Sequence, residues 1–243
     1  MDEISQAIAA NNSGILFLMK KDFRRATASF RHAVVTTKEI LSKRHRRNEA
    51  QSVFLHYHGA AFPSHQRPSL SQLTMEVVDV DSITKRGAAE LYCDEELSLV
   101  CRNAFFIHQS TATTRSYIED DLTTIAVSAV YNLAMAHHLC GIDHRSISQL
   151  ETAVHYFEVF LSFQKTGIVG LVTAHMMFAL NNMATIHRTM SNESKLMQNL
   201  QQLCAILAHV DPKYPEKNKR HWMMYMSNLT SLYLNPPITA RAA

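Results

Sequence analysis

The residues NLAMAH at 132–137 recur as NMATIH at 182–187 and, more loosely, as NSGILF at 12–17. A small residue stands two places after each asparagine, and a ring follows three places later. A small residue at a fixed place in a helix is typical of a close crossing between two antiparallel helices, because a larger side chain would push the helices apart. The repeat therefore predicts three helical hairpins built on one plan.

The second helix of each predicted hairpin follows from its leucines and its capping residues. Leu196, Leu200 and Leu203 are spaced by four and then three residues, which places them on one face of a helix. Asp22 and Asn192 stand where a side-chain oxygen can cap the first turn of the second helix.

The middle unit is longer than the other two. The key position of its second helix comes seven residues later than in the first and third units. We expect those residues in a longer loop near 141–149, with Gly141 ending one helix and Ser146 capping the next.

These spacings resemble the tetratricopeptide repeat, whose signature of about 34 residues combines W-x2-L-G-x2-Y with A-x3-F. The matching positions are Gly14-x2-Phe17 with Ala26-x3-Phe30, Ala134-x2-His137 with Ala153-x3-Phe157, and Ala184-x2-His187 with Leu196-x3-Leu200. The tryptophan and the terminal proline of the signature are missing from all three units. The resemblance implies an all-α superhelix, or solenoid, of stacked hairpins whose first helices line a concave groove.

We expect one domain over residues 1–243. Repeat one covers about 2–58, repeat two about 120–165, repeat three about 168–210, and a capping helix about 217–234. An acidic insert at about 59–117 separates the first two repeats. We expect it to be partly disordered, since its first part is rich in proline, serine and glutamine.

A small β element is expected inside the insert. The runs at 75–80, 97–101 and 104–107 read as strands or short apolar runs. The last two flank Arg102-Asn103, which predicts a hairpin that turns at this dipeptide. A lone hairpin is marginal in water, so it should lie against the helices. The expected fold class is thus all-α with a long insert that carries a small β-hairpin.

Composition narrows the classes of protein. Six glycines and six prolines are few for 243 residues, which disfavours folds rich in tight turns. Four cysteines form no CxxC pair and no disulfide framework, as is typical of a reducing compartment. No secretory leader pattern opens the sequence, and no run is long and apolar enough to predict a membrane span. We therefore expect a cytoplasmic protein without membrane contact, and the sequence leaves its oligomeric state open.

The charges are unevenly distributed. Ten lysines and arginines face two acids between residues 20 and 47, and ten acids face four bases between 76 and 121. The densest run is a basic patch of Lys43, Arg44, Arg46 and Arg47. It has three open interpretations: a solvated helix end, a surface for an acidic partner or nucleic acid, and a nuclear import signal. Aromatic residues do not alternate with these bases as they do in single-strand binders, so nucleic acid is the less favoured partner.

Catalytic and metal-binding motifs are not evident in the sequence. Fourteen histidines include no HExxH and no Cys-His set at ligand spacing, so we predict no metal site. Six glycines form no P-loop, no dinucleotide fingerprint and no G-x-S-x-G, so we predict no cofactor, no catalytic residue and no enzyme. His137 and His187 occupy the ring position of the repeat and are expected to pack between helices.

The resemblance implies which residues would line the concave groove. They are Asn12, Tyr131, Asn132, Met135, Asn181, Asn182, Thr185 and Asn228. An asparagine amide both donates and accepts, so it can hold a peptide main chain. Ile8, Ser128 and Phe178 stand one turn earlier, where the carboxylate-binding version of the groove has basic residues, which disfavours capture of a chain terminus. The same asparagines can instead bond between helices, and the sequence leaves both roles open.

The favoured function is a non-catalytic protein–protein interaction scaffold or adaptor that binds a partner peptide or helix in this groove. The alternative is a helical-repeat protein that binds nucleic acid through the basic helix around residues 20–47. Neither the partner nor the pathway follows from the sequence.

Overall fold

The structure, a computed structural model, describes residues 2–58, 73–80, 100–109, 119–165, 173–210, 213 and 219–234. Within these residues the chain is mostly helical, with one small antiparallel sheet, which confirms a helical class with a minor β element. In chain order the elements are α1 (Glu3–Met19), α2 (Phe23–His58), β1 (Leu73–Asp79), β2 (Asn103–Gln109), α3 (Glu119–Asp143), α4 (Ile147–Lys165), α5 (Thr173–Thr189), α6 (Glu193–Leu207) and α7 (Lys219–Leu234).

Consecutive helices pack in pairs. Helix α1 packs along α2, α3 along α4, and α5 along α6, while α2 lies against α3, α4 lies against α5, and α7 contacts α5 and α6. The first helices of the pairs are thus α1, α3 and α5, as the repeat predicts.

The small residues lie at close helix contacts. A Cβ atom added to Gly14 of α1 would stand 2.5 Å from Cε1 of Phe30 in α2. Ala134 and Ala184, the equivalent residues of α3 and α5, are buried in the core. A large side chain at Gly14 would collide with a buried ring, so the small residue is required by the α1–α2 contact.

The three turns inside the helix pairs have one geometry. In each, a residue with positive φ stands two residues before the first residue of the next helix: Lys21 (58°), Arg145 (50°) and Ser191 (55°). The following main-chain N–H closes the same bond, from Asp22 to Phe17 O (2.9 Å), from Ser146 to Gly141 O (2.8 Å), and from Asn192 to His187 O (2.8 Å). This six-residue closure is the Schellman arrangement of helix ends.

The prediction of a long loop in the middle unit is wrong. His137 is the ring position of the repeat, but the acceptor in its turn is Gly141, four residues later. Ser146, the residue before α4, stands three residues earlier relative to the key position Ala153 than Asp22 and Asn192 do in their units. The seven extra residues therefore extend both helices instead of the turn. Helix α3 continues through Gly141, where an added Cβ would stand 2.6 Å from Leu150 Cδ2, so this glycine permits close packing and does not end the helix.

Two of the three N-caps predicted from sequence, those at Asp22 and Asn192, are confirmed by hydrogen bonds. Asp22 Oδ1 accepts a hydrogen bond from Arg25 N at 3.2 Å. Asn192 Oδ1 accepts one from Lys195 N, also at 3.2 Å. Each bond satisfies an N–H group that the first turn of a helix leaves without an intrahelical acceptor.

The strand pairing differs from the prediction. Strand β2 pairs antiparallel with β1, in a register that sets Leu73 opposite Gln109 and Asp79 opposite Asn103. Asn103 therefore opens a strand and is not part of a turn. Residues 97–99, the other expected partner, lie outside the described residues, as do 59–72, 81–99 and 110–118, where disorder was expected.

Helix α3 is the central helix of the core. Within Asp121–Asp143, the most apolar window of 18 residues has a mean hydropathy of 1.3, and among the described residues this is the one helix long and apolar enough to cross a membrane. However, 83% of that apolar window is buried inside the fold. It contacts α1, α2, α4 and β2, which accounts for its apolar character by packing alone.

Candidate functional site

The asparagines predicted for the groove lie on the first helices and meet strand β2. Asn12 lies on α1, Asn132 on α3 and Asn182 on α5, at equivalent positions of the three helix pairs. Asn132 and Asn182 are fully buried, and Asn12 is half-buried. We call these three residues the asparagine clamp, because each one holds the main chain of the segment 101–107.

Asn12 holds the residue nearest the end of β2. Its Oδ1 accepts a hydrogen bond from Ile107 N at 3.1 Å, and its Nδ2 donates to Ile107 O at 2.8 Å. One amide thus satisfies both main-chain groups of one residue, as a neighbouring strand would do.

Asn132 repeats this contact two residues earlier on the strand. Its Oδ1 accepts from Phe105 N at 2.8 Å, and its Nδ2 donates to Phe105 O at 3.0 Å. The same Nδ2 donates to Asn11 Oδ1 at 2.9 Å, and Asn11 Nδ2 donates to Phe105 O at 3.0 Å. The centre of the clamp is therefore a closed network of two asparagines and one strand residue, all fully buried.

Asn182 makes the third contact, just before β2 begins. Its Oδ1 accepts from Cys101 N at 2.8 Å, and its Nδ2 donates to Cys101 O at 2.9 Å. Met135 of α3 lies beside it, with its Sδ 3.0 Å from Asn182 Nδ2. The three helix pairs therefore grip the segment in reverse order, since α1 holds residue 107, α3 holds 105 and α5 holds 101.

The clamp uses the edge of β2 that β1 leaves free. Val80 N donates to Arg102 O at 2.8 Å, so the even-numbered residues of the segment direct their main-chain groups towards β1. The clamped residues are odd-numbered, and their main-chain N–H and C=O groups point away from β1, towards the helices. The asparagine side chains thus take the place of a third strand.

Spacing along the segment fits the spacing of the helices. Six residues of extended chain separate Cys101 from Ile107, a length of about 20 Å. Helices α1 and α3 pack together and hold residues two apart, whereas α3 and α5 hold residues four apart. The extended segment therefore meets one asparagine from each helix pair.

The odd-numbered side chains of the segment 101–107 pack against the helices. Phe105 is fully buried, with its ring centre 4.2 Å from that of Tyr131 in a stacked arrangement, 4.3 Å from His175 and 6.3 Å from Phe160. We call Tyr131, Phe160 and His175 the aromatic cage. Ile107 is buried in a separate apolar cluster with Ile8, Leu122 and Ile125, among others.

Two predicted groove asparagines join helices instead. Asn228 Nδ2 of α7 donates to Asn181 Oδ1 of α5 at 2.6 Å, and Arg188 Nη1 donates to Asn228 Oδ1 at 3.1 Å. Thr185 Oγ1 donates to Asn181 O at 3.0 Å within its own helix. These contacts attach the last helix to the third pair, which is the inter-helix role that the sequence left open.

Helix α7 also contacts the β element. Asn103 Nδ2 lies 2.7 Å from His221 Nε2 and 3.3 Å from Cys101 Sγ, and Arg220 forms an ion pair with Asp79 at the end of β1. Burial raises the pKa of the Cys101 thiol well above its ordinary value, so this thiol stays protonated and unreactive.

The basic patch lies apart from the clamp, on α2. Lys43 Nζ donates to Glu3 Oε1 at 2.7 Å, which links it to the first turn of α1, and Arg46 Nε donates to Ser42 O at 3.3 Å. Lys43 and Arg46 are exposed and Arg44 is half-buried, whereas of Arg47 only its place in α2 is described. The patch and the buried asparagines thus form two separate features.

The buried histidines pack as neutral rings. Burial lowers the pKa of His138 to about 3, with a further contribution from the nearby Arg102, and burial lowers the pKa of His175 to about 4. His137 Nδ1 lies 2.6 Å from Gln149 Oε1, and the pKa of His187 is lowered chiefly by burial. Among the described residues, no three histidine, cysteine or acidic side chains come together as metal ligands would.

Sequence reasoning placed the asparagines on the first helices but missed what they hold. The segment CRNAFFIHQ at 101–109 does carry the necessary signal. Its odd positions place Cys101, Asn103, Phe105 and Ile107 on one face, and all four are buried. An alternating segment within reach of an asparagine array could have been matched to it.

Comparison with known proteins does not assign a function to this site. No protein-family model matches the chain, and neither does any curated protein or any solved structure. The function must therefore be argued from the asparagine clamp and the segment that it holds.

Proposed function

We propose that this chain is a non-catalytic protein-interaction scaffold built from tetratricopeptide-like hairpins, which recognises an extended protein segment through the asparagine clamp. One observation carries the proposal: Asn12, Asn132 and Asn182 each bond the N–H and the C=O of a single strand residue. These hydrogen bonds involve the main chain of the held segment and not its side chains, so any extended segment whose side chains fit in size can make them.

The physical chemistry of the clamp supports protein as the ligand class. An asparagine amide presents a donor and an acceptor with the same spacing as a peptide group, so it completes a strand edge. The clamp is buried and has no net charge, whereas nucleic acids are bound through cations that neutralise phosphates. Main-chain recognition with pockets for alternate side chains is the general mode of strand addition to proteins.

Photo-cross-linking tests the proposal directly. Photo-methionine incorporated into the full chain places a reactive group at Met135, beside Asn182, and at Met223, which is 58% exposed on α7. A partner captured from cell extract should cross-link from Met135, and a Met135→Leu variant should lose that cross-link while keeping the others. A partner that cross-links through Met223 and never through Met135 binds another surface, and the clamp would not be its site.

Exposure of basic residues supports a second candidate function, nucleic-acid binding through α2. Arg24, Arg25, Arg31, Lys38 and Lys43 are all exposed along this helix. Binding of this kind should weaken steeply with salt, and a Lys43→Gln/Arg46→Gln variant should reduce the slope of log K against log salt by about two. A salt-independent signal would remove this candidate.

A further inference from the structure

We propose that β2 is the resident ligand of the clamp, and that a partner binds by exchanging with it. The partner's segment would carry an aromatic residue at the place of Phe105 and a branched aliphatic residue two places later. This inference rests on the proposed function, since it names the segment that the scaffold takes and the step by which the site becomes free.

The resident strand shows what the groove accepts. The aromatic cage surrounds Phe105 on one face, and Ile107 lies in the apolar cluster formed by α1, α2 and α3. Cys101 is fully enclosed and small. Ala104 is fully buried as well, so a matching segment reads small, any, polar, small, aromatic, any, aliphatic.

The side chains of the even positions are less constrained, except at Ala104. Ala104 is fully buried, whereas Arg102 and Phe106 are half-buried and His108 is exposed. Their main-chain groups face β1, so an incoming segment would meet β1 on this edge or replace the whole β element. The selectivity of the site is thus concentrated at the odd positions.

Connectivity lets the β element leave without unwinding a helix. Fourteen residues join the end of α2 to β1, and nine join β2 to α3. Fully extended, these connections reach about 45 Å and about 30 Å. Connections of these lengths keep β1 and β2 joined to α2 and α3 while the β element moves away by such distances.

Competition from the resident strand sets the expected affinities. A tethered segment competes at an effective concentration of about 1 mM, so a free peptide with the same sequence should show an apparent dissociation constant near that value in the wild-type chain. Loss of the Phe105 ring should weaken the binding of the resident strand to the clamp at least 100-fold. The apparent dissociation constant of the free peptide should then fall to about 10 µM or below.

Phe105 is a better target for the test than the asparagines. Removal of a clamp asparagine weakens the resident strand and the incoming segment alike, so their competition hardly changes. A substitution within β2 weakens the resident alone. Phe106→Ala is the matched control, because it removes the same side chain from the neighbouring, half-buried position.

The experiment measures the fluorescence anisotropy of a labelled peptide with the sequence of residues 100–109, titrated with full-length protein. We expect apparent dissociation constants of about 1 mM for wild type and for Phe106→Ala, and about 10 µM for Phe105→Ala. A peptide with alanine in place of Phe105 should bind at least tenfold more weakly than one with alanine in place of Phe106. Equal affinity of these two peptides would overturn the aromatic requirement.

Folding of the variant is controlled separately. If Phe105→Ala folds only when the peptide is added, as seen by recovery of the helical circular dichroism signal, the peptide has entered the groove and exchange is supported. Phe105→Leu keeps most of the apolar volume and should bind the peptide about tenfold more tightly than wild type. A folded Phe105→Leu protein that binds no better than wild type overturns exchange.

The two proposals fail in different ways. If the peptide does not bind but the fully buried Met135 still cross-links to a partner, the scaffold function stands and the segment pattern inferred from β2 is wrong. If the peptide binds but no partner cross-links through Met135, exchange stands as a property of the fold and the scaffold function is wrong. If the partner is a second copy of this chain, the β2 of the wild type should bind the Phe105→Ala variant, and a dimer should form when the two proteins are mixed.

Discussion

Replacement of Asn132 by alanine should destabilise the protein more than any other single change in the clamp. Asn132 Oδ1 accepts from Phe105 N, and its Nδ2 donates to Phe105 O and to Asn11 Oδ1. After substitution, Phe105 O retains the bond from Asn11 Nδ2, but Phe105 N and Asn11 Oδ1 lose the partners described here. All three residues are fully buried, so water cannot replace the lost bonds without opening the core.

The magnitude follows from the two orphaned groups. An unsatisfied buried donor or acceptor costs about 1–3 kcal/mol, so two cost about 4 kcal/mol. Alanine regains about 0.7 kcal/mol through its higher helix propensity. The net loss in free energy of unfolding is about 3 kcal/mol, which for a chain of this size lowers the melting temperature by about 10 °C.

Urea unfolding followed by circular dichroism measures the change, with Asn12→Ala as the matched control. Asn12 makes the same pair of bonds to Ile107 but is half-buried, so water can reach the exposed groups and the loss should be about 1 kcal/mol. If Asn132→Ala and Asn12→Ala lose the same stability, the burial argument fails. The clamp would then not be a closed network.

Three further predictions concern pH, packing and capping. Because the folded-state pKa values of His175 and His138, about 4 and about 3, lie below the ordinary 6.5, the unfolded chain binds more protons below pH 6.5. Above pH 6.5 these two histidines do not lower the free energy of unfolding, and at pH 5 each should lower it by about 2 kcal/mol, measured from urea unfolding midpoints. His175→Phe should reduce this loss. Gly14→Leu should overpack against Phe30 and lower the unfolding free energy by about 1–3 kcal/mol in urea titrations, and an unchanged midpoint would contradict the α1–α2 contact. Asn192→Ala should lose about 1 kcal/mol by removing the N-cap of α6, whereas Asn192→Ser should lose little, and equal losses would show that the cap bond is not the cause.

The helix pairs could be predicted from sequence because their signals are local. Asp22 and Asn192 cap helices through atoms three residues away, and the spacing of Leu196, Leu200 and Leu203 defines a face within one helix. Such signals need no knowledge of the rest of the chain. The prediction of three similar pairs followed from their repetition.

Gly141 shows where local reasoning was insufficient. A glycine near a helix end is a common terminator, and that rule led to a loop. The packing of Leu150 against its α-carbon decided otherwise, and α3 continued for two more residues. The competing requirement was tertiary, so nothing within a few residues of Gly141 could have revealed it.

The pairing of β2 was beyond sequence reasoning for a related reason. The run at 104–107 has an apolar neighbour at 97–101, and proximity in sequence favoured that pair. In the structure its partner is β1, which ends 24 residues before β2 begins. Such a pairing depends on the surface that holds β2, here the clamp, and that surface exists only after the helices have packed.

The clamp and the cage divide the task of fixing the strand. A shift of β2 by one residue would bring even-numbered main-chain groups to the asparagines but would turn every side chain to the other face of the strand, so burial of the odd-numbered side chains excludes it. A shift by two residues would restore every main-chain bond, and the asparagines cannot distinguish it from the observed register. That shift would place Asn103 or Ile107 in the aromatic cage instead of Phe105, and a buried amide among rings, or an unfilled volume, is unfavourable. The main-chain bonds therefore hold the strand and its side chains fix the register, above all the Phe105 ring, which is why a substitution of this side chain should weaken the resident strand most against a competing partner.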